Sequence, residues 1–205
     1  MRVKKIPQGL PCGGSFLTVN GSGVRATAGS LGVSKDTVIS TLRSFEPSLW
    51  HVNHAYLENM AGKGLEIEIA SGTEAEMDGV RSFVHGKSQQ CWLWRAIERK
   101  TGAPLAFHFG TRKRENLDEL PALLNPFNVR KAYTDKNPAY SSRITADALE
   151  TGKCNTRKVE RKHLSLRTWC SRLVRKGIRF SKRRDMHRIV AALVINFWFF
   201  CGIIA

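Results

Sequence analysis

The 205-residue chain lacks the marks of a secreted or metal-stapled protein. Its five cysteines, Cys12, Cys91, Cys154, Cys170 and Cys201, include no C-x-x-C pair, so the spacing gives no zinc signature and no zinc is expected. An odd cysteine count argues against a disulfide framework. The basic start (Met1, Arg2, Lys4, Lys5) is followed by no apolar h-region, so no export signal is read and the expected compartment is the reducing cytoplasm. Acidic residues are the other scarcity. Residues 151–205 carry 14 basic side chains and only two acids, Glu160 and Asp185. Residues 1–70 carry 7 and 5, and residues 71–150 carry 12 and 10. Of the formal net charge of +16, +12 therefore falls in the last quarter of the chain, which points to a polyanionic partner, nucleic acid before an anionic membrane. A hydrophobic fraction of 42% excludes a wholly disordered basic tail.

The pattern divides the chain into an irregular Gly/Pro-rich segment (1–22), a helix-turn-helix (23–45), a linker (46–73), an α/β domain (74–176) and a C-terminal helix (177–205). In the helix-turn-helix, Ala28 is small where two helices touch, Gly32 supplies a left-handed turn residue and Ser34 caps the second helix. That helix presents Lys35, Thr37, Ser40, Thr41 and Arg43, short polar and basic side chains suited to a DNA major groove, although an ordinary helical hairpin reads the same way. The linker holds one alternating strand, Leu65–Ile69. Strands follow at Ala75–Val84, Cys91–Ile97 and Pro104–Phe109, with turns at Gly86-Lys87 and Thr101-Gly102. A helix at Glu115–Leu124 ends at Asn125-Pro126 and crosses to a fourth strand, Val129–Thr134. Residues 138–149 suggest a short helix and an edge strand. A basic helix over 156–176 is expected to bury Val159, Leu166 and Leu173, closed by Gly177. Three strands on short turns and a crossover helix to a fourth open a ribonuclease-H-like mixed sheet flanked by helices. The run Ile189–Ala205, broken only by Asn196, fits either a buried last helix or a short membrane span.

Phosphoryl chemistry on nucleic acid needs an activated oxygen and a stabilised leaving oxygen, and divalent metals held by a few carboxylates supply both. Asp78 lies mid-strand and Asp135 ends the fourth strand, neighbours in such a sheet. Like charges that close are costly without a cation between them. Glu74 and Glu76 share the strand face of Asp78 and compete with it for this role. Glu160 is nearly alone among Lys153, Arg157, Lys158, Arg161, Lys162 and Arg167. It serves either an i,i+4 ion pair or a site on the sheet.

These residues carry a resemblance. Gly23–Ala28, Glu76-Met77-Asp78, Thr134-Asp135 and, above all, Gly152-Lys153, Asn155-Thr156, Val159–Leu164, Leu166-Arg167, Arg172-Leu173, Arg175-Lys176, Phe180–Lys182 and His187 resemble the insertion-sequence-one family of DDE (Asp, Asp, Glu) transposases over residues 23–200. The resemblance implies a ribonuclease-H-like catalytic domain that uses Mg²⁺ or Mn²⁺ to cut element ends and join the 3′-hydroxyl to target DNA. The triad falls on Asp78, Asp135 and Glu160, which are also the expected metal ligands, with Asp78 shared. Arg161, Lys162, Arg167, Arg172, Arg175 and Lys176 then grip phosphates. Family members act as multimers, so a homo-oligomer on DNA is expected. His163 and His187 are either structural or in contact with DNA or the site. The last apolar run acquires a place in the fold, which favours a buried helix over a membrane span. The family's N-terminal cysteine segment is represented only by Cys12, and residues 197–205 are apolar where the family is polar. Both suggest a truncated copy. The alternative function is an inactive DNA-binding remnant or regulator.

Overall fold

In the computed structural model the described residues are 18, 21–61, 73–111, 119–135, 140, 148–174 and 180–200. Two short helices come first, α1 (Val24–Leu31) and α2 (Lys35–Ser44). Gly32 takes φ 64° between them, the Ser34 hydroxyl accepts the Thr37 N–H at 3.0 Å, and Ala28 is buried at their contact. A third helix, α3 (His54–Ala61), lies in what reads as linker. Its start is set by Asn53, whose side chain accepts the Tyr56 N–H at 3.1 Å and donates to Pro104 O at 2.7 Å. An Asn cap ahead of a short helix was a legible signal that the Gly-rich surroundings masked. The expected strand at 65–69 lies outside the described residues.

The sheet has five strands, β1 (Thr73–Val84), β2 (Gly86–Glu98), β3 (Pro104–Gly110), β4 (Val129–Thr134) and β5 (Leu149–Thr151), in the order β3-β2-β1-β4-β5. The first three are antiparallel, and β4 and β5 run parallel to β1. The sequence reading therefore placed the first four strands correctly. It made β2 too short, because the polar stretch before Cys91 also joins the ladder, Gln90 opposite Phe83 and, across a bulge, Gly86 opposite Val84. The tight turn falls on His85 (φ 63°), one residue before the expected position. Helix α4 (Glu119–Leu124) covers the described part of the crossover, and β5 supplies the edge strand. Of the short helix expected between residues 138 and 149, only Tyr140 and Ala148, both helical, are among the described residues.

Helix α5 (Arg157–Trp169) is shorter than the heptad pattern predicts. Cys170 is extended, and a single turn at Ser171–Leu173 swings Leu173 into the core while Arg172 turns inward. Straight continuation to residue 176 is thus replaced by a break that still buries the third heptad position. Helix α6 (Arg184–Ile195), continued by a wider turn at Asn196–Phe200, is buried along nearly its whole length. Met186, Ile189, Val190 and Leu193 pack on Ala28, Val38, Leu42 and Phe45 of the α1–α2 region. Its other side, Ala191, Ala192, Val194 and Ile195, packs on Val80, Leu93, Phe107 and Leu166. A helix apolar all round is what such double burial demands. Among the described residues no helix is long and apolar enough to cross a membrane.

A line of donors ties α6 to the sheet. Arg172 Nη1 donates to Ser181 Oγ (2.9 Å), which donates to His187 Nδ1 (3.2 Å). His187 Nε2–H donates to Ser82 Oγ (2.9 Å), which donates to Cys91 O (2.7 Å). Each hydroxyl gives one proton and accepts one, and the order requires a neutral ring. Burial, then the Arg172, Arg188 and Arg184 charges, pull His187 down to about 4, so the ring is neutral. Of the two roles left open for His187, the structure supplies the structural one.

Candidate active site

Along β1, even-numbered residues face α5 and odd-numbered residues face the opposite core, because Cβ atoms alternate across a strand. Val80 and Val84 join the α5–α6 core, whereas Ala75 and Met77 join the core under α3 and α4. Glu74, Glu76 and Asp78 therefore lie on the α5 face, and the structure separates them. Glu74 is half exposed beside Arg99 (3.8 Å). Glu76 is buried, and one carboxylate oxygen accepts the Lys158 and Val159 N–H groups at 3.1 and 3.2 Å, capping α5. Asp78, further along the strand, has its side chain 20% exposed.

Asp78 is held from two sides. Its Oδ1 accepts the Gly79 N–H at 2.7 Å, and Oδ2 lies 3.4 Å from Nδ1 of His163 on α5. Burial is the largest influence on His163 and draws its pKa to about 4, against the opposing pull of Asp78. The ring is therefore neutral and donates through Nδ1, while Nε2 is buried without a hydrogen-bond partner. Directly across the ladder from Asp78 is Arg95, fully buried, drawn by burial to about 10. It donates to Lys162 O at 3.2 Å and lies 4.9 Å over the Phe199 ring.

Asp135 follows the buried Thr134 at the end of β4. Thr134 is the register partner of Met77, so the next step of the parallel ladder sets Asp135 beside Asp78. Tyr140 lies in the core on the other face of the sheet, with Met77, Trp94 and Leu120. Burial, then the charges of Asp78 and Asp135, push the Tyr140 hydroxyl well above its ordinary range, and that hydroxyl has no hydrogen-bond partner. Tyr140 sits edge-on to Trp94 at 5.9 Å.

Glu160 is exposed in the first turn of α5 and accepts the Thr156 hydroxyl at 3.1 Å. It is one turn before His163, the residue that touches Asp78. Lys158 reaches the β2–β3 turn, where it bonds Lys100 O at 3.3 Å, and Lys162 lies beside Gly102 of the same turn. Glu160 points about 160° around the helix from Lys162, onto the flank away from that turn. Among the described residues no group of three His, Cys, Asp or Glu side chains is close enough to hold a metal. The structure thus pairs Met77 with Thr134, the residues just before Asp78 and Asp135, and leaves Glu160 on the helix flank. As a donor set, carboxylate oxygens at the matching ends of two neighbouring strands suit a hard divalent cation such as Mg²⁺ or Mn²⁺.

The expected DNA contacts divide as well. Lys35 and Thr37 are exposed on α2 and Thr41 is half-buried, with the Thr37 hydroxyl 2.8 Å from Ser34 Oγ. Arg43 is exposed but paired with Asp185 of α6 at 2.9 Å. On α5, Arg161 is exposed, and Lys162 and Arg167 are half-buried. Arg172 is committed inward, to Ser181 Oγ and to Met186 O (3.3 Å), which corrects its reading as a phosphate contact. Arg175 and Lys176 lie outside the described residues. Sequence reasoning missed Arg95, Tyr140 and the capping role of Glu76. An arginine inside the apolar run Cys91–Ile97 was a legible signal for the first.

Residues 73–201 match the family described as IS1 transposase. The chain is similar to insertion element iso-IS1n protein InsB of Shigella dysenteriae, 42% identical over 121 residues that cover 59% of this chain and 92% of that protein. It is 38% identical to insertion element IS1 4 protein InsB of Escherichia coli (strain K12) over 122 residues, 60% of this chain and 73% of that one. A chain in the cryoEM structure of the simian T-cell lymphotropic virus intasome in complex with PP2A regulatory subunit B56 gamma aligns with a TM-score of 0.41 and 15% identity. That alignment covers 92% of this chain and 61% of the other.

Proposed function

The chain belongs to the IS1 transposase family, and from that premise we propose that it cuts and joins DNA strands with Asp78, Asp135 and Glu160. The observation that supports this reading is the register of β1 and β4, in which Met77 and Thr134, the residues just before Asp78 and Asp135, are partners, with Glu160 in the first turn of the helix packed on β1. The strand order, three antiparallel strands followed by parallel β4 and β5, supports a ribonuclease-H-like domain.

Asp78 and Asp135 would hold the divalent ion, with Glu160 closing the set from α5. The ion, when bound, supplies a lowered pKa for the attacking oxygen and neutralises charge on the leaving oxygen. The chain's own residues do the rest. The Gly79 N–H and His163 Nδ1–H fix the plane of the Asp78 carboxylate, leaving its other lone pairs to the site. Arg161, Lys162 and Arg167 set a positive field along α5 that holds phosphates in place, and Lys35, Thr37 and Thr41 offer α2 to a groove. DNA is the partner, engaged by a homo-oligomer.

The position of Glu160, bonded to Thr156 and apart from the other two acids, is the one observation favouring a DNA-binding regulator without strand transfer. A single experiment decides. Purified protein is mixed with labelled duplexes carrying the terminal repeats that flank its coding region, in Mg²⁺ or Mn²⁺. Glu160→Gln and Asp78→Asn are expected to abolish end cleavage and joining while band-shift affinity changes by less than about twofold, since each removes a reacting-site charge and no phosphate contact. Cleavage that persists in either variant overturns the triad. Wild-type binding without cleavage selects the regulator.

A further inference from the structure

The three acids of the proposed site sit on three different elements, β1, β4 and α5. One layer behind them, a single ionic cluster touches all three. Glu76 is two residues before Asp78 on β1 and shares its face. Its Oε2 accepts the Lys158 and Val159 N–H groups, two and one residues before Glu160 (3.1 and 3.2 Å). Its Oε1 lies 3.6 Å from Arg99 Nη1. The Arg99 guanidinium crosses β1 and lies 3.5 Å over the ring of Tyr133, two residues before Asp135 on β4 and the register partner of Glu76. Each contact thus falls one or two residues ahead of a triad acid.

We propose that Glu76 and Arg99 form a clamp that sets the mutual spacing of Asp78, Asp135 and Glu160, so that Glu76 is a positioning residue for catalysis. The proposal rests on the triad reading given above. Its physical basis is the arrangement of charge. The Glu76 carboxylate is buried and compensates two N–H groups that the first turn of α5 leaves without helical partners. Removing it frees the end of α5 from β1 at the turn that carries Glu160. Removing Arg99 uncouples β4 from both. Neither residue is placed to touch substrate, so the effect passes through geometry alone, where a displacement near 1 Å is enough to cost about 100-fold in rate.

The test uses the full chain, Mn²⁺ as the metal probe and the flanking-repeat duplexes as substrate. Glu76→Ala is expected to lower kcat for cleavage by roughly 30-fold and to weaken Mn²⁺ binding, read by electron paramagnetic resonance of free Mn²⁺, by roughly 10-fold. KM for DNA and band-shift affinity stay within about twofold, because no phosphate contact is removed. Glu76→Gln retains an oxygen for the α5 N–H groups and is expected to recover kcat to within about fivefold of wild type. Arg99→Ala gives a fall of roughly 10-fold in kcat, again with KM unmoved, and decides the matter if Glu76→Ala does not fold. Wild-type kcat and Mn²⁺ affinity in folded Glu76→Ala overturn the clamp. So does a loss of kcat matched by equal losses of DNA affinity and native circular dichroism. Asp78→Asn separates the two readings: if it still cleaves, the triad fails and the clamp with it. If it is inactive while Glu76→Ala and Arg99→Ala behave as wild type, the clamp alone fails.

Discussion

Gly79 shows how closely the sheet is packed beneath the acid it follows. A Cβ on it would stand 2.6 and 2.8 Å from two carbons of the Trp94 ring and 3.1 Å from Trp92. Those indoles stack at 5.4 Å with 17° between their planes, and Trp94 is pinned by a bond to Thr111 O at 3.2 Å. A ring so held has nowhere to go, so Gly79→Ala is expected to destabilise by about 1–3 kcal/mol through overpacking. A urea titration checks it, with the midpoint lowered and the slope unchanged; an unmoved midpoint means the rings yield. The same crowding orients the backbone that presents Asp78. How far single residues can be read from sequence follows from such contacts. From the residues alone Asp78 was one of three acids on a strand face, with Glu74 and Glu76, and only the family resemblance singled it out together with Asp135. The role of Glu76 was illegible, since capping a helix 82 residues away depends on tertiary placement that no local pattern encodes. Tyr140 carried no signal of its own.

At the scale of elements, α6 is the least conventional. Its composition alone fits a membrane span, and what resolves it is a second apolar surface, the α1–α2 pair, packed on its far side. Strand positions were legible because period-2 alternation and turn residues are local. The early end of α5 was not, because the break at Cys170 answers to the demands of Ser181 and α6 on Arg172. His187 gives α6 a pH dependence. The unfolded ring takes a proton near pH 6.5, whereas the folded one resists until about 4. Between those values the unfolded chain binds more protons, so stability is full above the window and falls as pH falls through it, by on the order of 3 kcal/mol at the lower edge. His163, held to about 4 as well, contributes in the same direction. Urea midpoints measured from pH 7 to 4.5 should fall, and His187→Gln should remove about half of that decline. A variant with the wild-type slope would show that the ring titrates freely.

For the whole molecule, the net charge of +16 is weighted to the last quarter of the chain, where α5 exposes Arg157, Lys158 and Arg161. Binding to duplex DNA should therefore weaken steeply with salt. Arg161→Ala is expected to reduce the slope of log K against log[salt] by about one and to leave sequence preference unchanged. An unaltered slope places the duplex elsewhere. The position of α6 between the helix pair and the sheet also governs how the protein comes into being. Arg43 on α2 and Asp185 on α6 are 142 residues apart. On a ribosome adding about 5–20 residues per second, the apolar face of α1–α2 waits roughly seven to thirty seconds for its cover. During that interval the nascent chain offers Ala28, Val38, Leu42 and Phe45 to any chaperone, and the fold can assemble only after α6 has emerged.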